Sequence, residues 1–325
     1  MKIAVFGAGA IGGYLGALLS NAGHDVTMIA RGATLAAIRD RGLRLEKDGS
    51  EIVTRPQATD DPHAAGPQDY VLVALKTPAA PAASPLLRPL LGADTAVVTA
   101  MNGMPWWYFH KVGGELEDHR LETVDPGGVQ WREIGPERVI GGIMWIAVTQ
   151  PAPGRVRHVG GLQMSLGEPD GSISPRVQRL AAALEASGVK APINPDIRSE
   201  IWAKLLGNFS FNPVSALTGG TLGQICADPG QVGVAVAMIE EALQVTDKLG
   251  FVFDTPMEKR VAAAAFYGNH KTSMLQDIEA AKPLEIDGLV GAVAELGQLT
   301  GVATPTIDIV LALLKGRART MGLYP

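Results

Sequence analysis

Cysteine is all but missing from this chain: Cys226 is the only one in 325 residues. That excludes an intrachain disulfide, argues against a thiolate metal cluster, and fits a reducing compartment, with the cytoplasm as the default. Basic stretches are missing as well. The formal net charge is -5 and no Lys/Arg-rich run occurs, so the electrostatic footprint of a nucleic-acid binder is not there. Nor does any apolar run look long enough to span a bilayer. The most apolar late segment, residues 232–245, is too short and carries Glu240 and Glu241, so it reads as a buried or interface helix and no membrane partner is expected. The six histidines form no pair and no cluster with carboxylates at ligand spacing, so no metal site is expected.

What is present is ample apolar material, 46% of residues against 19% charged, enough for a large core and a length suited to about two domains. The chain opens with "MKIAVFGAGAIGGYLG". Glycines interrupt the apolar run at once, so it reads as a short strand, residues 2–6, then a tight turn, then a helix over residues 11–22, rather than as a secretory signal. Gly7, Gly9 and Gly12 make G-x-G-x-x-G around Ala8, Ala10 and Ile11, with a second strand following near residues 24–30, as a βαβ dinucleotide-binding unit requires. Strand-like runs at residues 3–6, 26–30, 70–75 and 96–100 alternate with helical ones and predict a parallel, doubly wound sheet. Later β-like pieces at 139–149, 155–159 and 162–166 read as an antiparallel edge or meander of the same domain. From residue 197 onward long helical patterns dominate. The expected architecture is an α/β Rossmann-type dinucleotide-binding domain over residues 1–195, followed by an all-α domain over 196–325.

Within that frame a few polar residues stand where ligands bind. The second strand ends in "MIARG", placing Arg31 where an NAD enzyme carries an acidic residue, and a guanidinium there suits the 2′-phosphate of NADP. Lys76 and Asn102 each follow a strand at the carboxyl edge of the sheet; Lys76 has the reach to touch the same phosphate or the ribose, and Asn102 is equally an ordinary Asn-Gly turn. Past the boundary, Lys204, Asn208 and Asn212 stand at i, i+4 and i+8 and make one polar stripe on a helix otherwise rich in apolar side chains. Such a stripe lines a polar cleft or sits on a solvated helix face, and spacing alone leaves both open.

Taken in order, these residues resemble the ketopantoate reductases (2-dehydropantoate 2-reductases). The likeness runs through G-A-G-A-I-G, Arg31, Lys76, the Asn102-Gly pair, P-G-x-V-x-H at residues 153–158, and W-x-K-x-x-x-N-x-x-x-N at 202–212. It continues through "TSMLQDI" at 272–278 and "LEIDGL" at 284–289. The resemblance implies NADPH-dependent reduction of a 2-oxo acid, most simply ketopantoate to pantoate, with Lys204 as general acid. It also implies Asn102, Asn208 and Asn212 holding substrate and lysine, Ser273 donating to the substrate carboxylate, and Glu285 orienting substrate or lysine. Asn102 is expected beside the nicotinamide too. Competing readings are a reductase of a bulkier 2-oxo acid, an opine or 3-hydroxyacid dehydrogenase, and an NADP-binding sensor; a homodimer is open. The chain departs from the family at Met101 and in a long loop carrying Trp106, Trp107, Tyr108 and Phe109, which is expected to wall the substrate cleft, or else to seal a domain or subunit interface.

Overall fold

The computed structural model describes all 325 residues, which form two compact units. The first comprises Met1–Met101, Pro105–Arg120 and Asp125–Arg198; the second Asn102–Met104, Leu121–Val124 and Ser199–Pro325.

The first unit is built on one nine-stranded sheet: β1 (Lys2–Phe6), β2 (Asp25–Ile29), β3 (Leu43–Lys47), β4 (Ser50–Thr54), β5 (Gln57–Thr59), β6 (Gln68–Val73), β7 (Leu91–Thr99), β8 (Val139–Ala152) and β9 (Arg155–Gly167). Their order is β4-β3-β9-β8-β7-β6-β1-β2-β5. From β8 across to β5 every neighbouring pair is parallel. In β1 everything after Lys2 is buried, as a strand covered on both faces requires. The helices of this unit are α1 (Ala10–Asn21), α2 (Gly32–Arg41), α3 (Ala80–Ala83), α4 (Val129–Ile134) and α5 (Pro175–Ala186). The chain runs β1-α1-β2 to one side and returns to place β6 on the other side of β1, so the strand order reverses there and opens a crevice at the carboxyl ends of β1 and β6.

Two expectations need correction. The antiparallel pieces are not an edge: β8 and β9 form one long hairpin, and β9 goes on to pair with β3, leaving β4 and β5 at the edges. The apparent break between residues 159 and 162 is a register shift inside a single strand, where Gly161 adopts φ +70°. β9 belongs in the interior because it packs on α1, with Val156 filling the space left by Gly13. The aromatic loop is the second correction. Trp106, Trp107, Tyr108 and Phe109 are each 1–2% exposed and pack within the first unit, so they present no open wall. The indole of Trp107 donates to Thr99 Oγ1 (3.0 Å) and fills a hollow at Gly141, where a Cβ would come within 2.8 Å of the ring. Trp106 meets Trp131 edge-on at 6.0 Å, and Arg198 donates to the carbonyl of Tyr108 (2.8 Å).

The second unit is helical: α6 (Ile197–Thr218, all but its first two residues), α7 (Leu222–Ala227), α8 (Pro229–Lys248), α9 (Met257–Phe266), α10 (Ser273–Glu279), a π-helical turn (Asp287–Gly291), α11 (Ala292–Thr300) and α12 (Pro305–Thr320). The apolar segment at 232–245 lies in α8 and buries Met238, Ile239, Ala242 and Val245. Glu241 is buried with them because its carboxylate caps α12, accepting from the amides of Thr306 (2.8 Å) and Ile307 (3.0 Å). Helix α9 is the exception, with no buried residue, and Phe266 and Tyr267 at its end stand open to solvent. No helix is long and apolar enough to cross a membrane.

Candidate active site

The glycine loop lies at the crevice between β1 and β6, and each glycine has a separate physical reason. Gly7 has φ +105° and would bring a Cβ within 2.8 Å of Ala74 O, so the turn closes only without a side chain. At Gly12 a Cβ would lie 1.9 Å from Gly7 O, so α1 could not start this close to its own strand. Gly9 is different: nothing of the protein lies within 4 Å of its absent Cβ, and it precedes α1 with no side-chain cap on the helix. An uncapped helix start beside a bare backbone face fits a pyrophosphate, which takes the unpaired amides. Ala8, between the first two glycines, is held through its carbonyl by Gln150 Nε2 (3.0 Å), and Ala10 and Ile11 open α1. Arg31 follows β2 and precedes α2, exposed, its guanidinium engaging no protein partner. Lys76 follows β6, half-buried. The residues therefore fit a dinucleotide with an added phosphate on its ribose.

In the second unit α6 carries the polar stripe. Lys204 and Asn208 are half-buried and Asn212 is buried, while Ala203 and Gly207 on the same side are small and exposed, leaving room beside the stripe. Lys204 Nζ donates to Asn102 Oδ1 (3.0 Å), and Asn102 Nδ2 reaches Glu285 Oε2 at 3.5 Å. The asparagine thus bridges amine and carboxylate. Glu285, 8% exposed, is no surface charge. Burial pulls the Lys204 pKa from its ordinary 10.5 down to about 8, while Glu285 and, more weakly, Glu200 push it back up. Asn212 Nδ2 lies 3.4 Å from Ser273 Oγ. Thr272, not Ser273, caps α10, its hydroxyl accepting from Leu275 N, which leaves the Ser273 hydroxyl exposed and available. The amide of Asn208, between the two pairs, makes no hydrogen bond. The arrangement offers a lowered-pKa ammonium, an amide awaiting a partner and a hydroxyl donor on one side of a helix, which suits protonating and holding a small oxo acid.

Two family models match, described as "Ketopantoate reductase PanE/ApbA" over residues 3–171 and "Ketopantoate reductase PanE/ApbA C terminal" over residues 196–318. The chain belongs to the ketopantoate reductase family. Among curated relatives, a 2-dehydropantoate 2-reductase of Mesorhizobium japonicum is 52% identical over the whole of both chains. One of Archaeoglobus fulgidus is 28% identical, covering 97% of each. Among solved structures, a provisionally named ketopantoate reductase of Ralstonia solanacearum MolK2 superposes with a TM-score of 0.96 at 42% identity, covering 99% of both chains. As in that family's paired models, a Rossmann-type domain is followed by a helical one. Sequence reasoning passed over Gln150, Glu200, Ala203 and Gly207. Gln150 carries no signal beyond a polar residue near a strand end, but Glu200 at i-4 from Lys204 and the two small residues beside the stripe were readable from helical spacing.

Proposed function

We propose that this protein reduces 2-dehydropantoate to pantoate, with NADPH as the hydride source and Lys204 as the proton donor. The observation that carries the reading is the Lys204–Asn102–Glu285 chain, because it ties a partly desolvated amine through an amide to an anion. NADPH, when bound, supplies the hydride for the keto carbon. Residues 7–12 would hold its pyrophosphate, with Arg31, and Lys76 beside it, on the 2′-phosphate; residues 1–195 serve as the cofactor domain and 196–325 as the domain carrying the acid. Lys204 donates to the keto oxygen as negative charge develops there, and an ammonium in a desolvated site both stabilises and protonates that oxygen. Asn102 aims the amine by accepting one of its protons, and Glu285 fixes Asn102 by accepting from its other end. Asn212 donates to Ser273 Oγ, which leaves the serine O–H to donate to the substrate carboxylate, and Asn208 supplies a further amide to the substrate. The lone Cys226 supports a cytoplasmic location. Ile309 and Leu313, exposed one turn apart on α12, support a homodimer.

The test is NADPH oxidation against a panel of 2-oxo acids. Ketopantoate giving the highest kcat/KM is the expected outcome, and a bulkier oxo acid ahead of it by tenfold or more would reassign the substrate.

A further inference from the structure

Glu285 and Asn102 come together across most of the chain length, and something must hold them. The helix after Glu285 does not continue as α but widens into the π turn Asp287–Gly291. Such turns frequently mark functional sites because they release backbone groups from the helix ladder. Here the Gly288 carbonyl accepts from Met104 N (2.8 Å). Gly103, at φ +88°, lies against the same carbonyl so closely that a Cβ would stand 2.4 Å from it. The residue just before Gly103 is Asn102. The π turn therefore sets the asparagine that bridges Lys204 and Glu285.

The turn is gripped in its own right by the last residues of the chain. The Tyr324 hydroxyl lies 2.9 and 2.8 Å from the two Asp287 carboxylate oxygens, and Lys315 Nζ lies 2.8 Å from Oδ1 of the same carboxylate and 5.3 Å from the centre of the Tyr324 ring. One residue earlier, the Leu323 carbonyl accepts from Leu284 N (3.2 Å). Adjacent C-terminal residues thus grip the chain immediately before Glu285 and two positions after it.

We infer that Tyr324, acting through Asp287 and Lys315, is a positioning residue that holds Glu285 and the Asn102 loop in register with Lys204. Loosening the clamp lets Glu285 drift from Asn102, and Lys204 then loses the strongest anion raising its pKa, with Glu200 left as the other carboxylate acting on it. The inference rests on the proposed acid role of Lys204.

The test is Tyr324→Phe, which removes the hydroxyl and keeps the ring over Lys315 and Arg319. Four quantities are measured: kcat, KM, the melting temperature, and the titration midpoint of Lys204 by 13C NMR of its Cε, assigned by its loss in Lys204→Arg. The expected result is kcat lower by about tenfold with the NADPH KM unchanged, as slight misplacement of a proton donor produces. The Lys204 midpoint falls below that of the wild type, and Asp287→Asn changes both in the same direction. Wild-type kcat and Lys204 midpoint in both variants, with or without a lower melting temperature, would overturn the inference. The NMR midpoint needs no substrate, so a wild-type enzyme inactive on ketopantoate would overturn the substrate reading and leave the clamp to be decided by the midpoint alone.

Discussion

As the proposed acid, Lys204 can donate only while it holds its proton, and burial brings the loss of that proton down toward neutral pH. With the amine drawn to about 8 by burial, the ammonium predominates below that pH and is lost above it. Turnover should therefore fall on the alkaline side, approaching about tenfold per pH unit above a midpoint near 8; a profile flat to pH 10 would mean another donor. Lys204→Ala should lower kcat by about 10² to 10⁴ and leave NADPH affinity unchanged by fluorescence titration. Arg31, with no protein partner to satisfy, should spend its guanidinium on the 2′-phosphate. Arg31→Ala should cost roughly 1.5–3 kcal/mol in NADPH kcat/KM and almost nothing with NADH, which the ratio of the two specificity constants measures. At this scale the sequence was partly readable. The stripe of Lys204, Asn208 and Asn212 follows from helical geometry, and Arg31 from its place after β2. The pairings with Asn102, Ser273 and Glu285 span long stretches of chain, so no periodicity reports them, and only the resemblance to the family pointed there.

The aromatic loop teaches what spacing hides at the scale of the element. Four consecutive rings in a long connection looked like surface, because nothing local shows where they go. Their hollow is made by β8, where Gly141 leaves room for the Trp107 indole, and by Thr99 at the end of β7, which accepts its N–H. Trp107→Ala should thus remove about 3–5 kcal/mol of stability, seen in chemical denaturation, and leave the order of preferred 2-oxo acids unchanged. A reordered panel with unaltered stability would return the loop to the substrate. β3 and β4 escaped notice for a related reason: "LRLEK" and "SEIVT" are short and charged, and they are strands because β9 offers a partner, not because of their own composition. By contrast β1, β2, β6 and β7 were legible as apolar runs, since a strand buried on both faces must be written that way.

On the scale of the whole molecule the order of parts was plain in the sequence, strand and helix alternating first and long helices after. Two details were not. Residues 102–104 and 121–124 leave the first stretch of chain to join the helical unit, through the Gly103 contact with Gly288 and through Glu295, whose carboxylate accepts from the amides of Glu122 (2.8 Å) and Thr123 (2.9 Å). Contacts at such separation leave no local trace. The other detail is α9, a helix that buries none of its own residues and so draws little stability from packing. A protease cuts unfolded chain, and the segment cheapest to open is the one it finds. Brief trypsin treatment of the native protein should therefore cut first after the exposed Lys259, giving two fragments that stay together on a sizing column and separate only in denaturant. That nick would fall just upstream of Ser273, on the stretch of chain leading to one half of the proposed carboxylate grip.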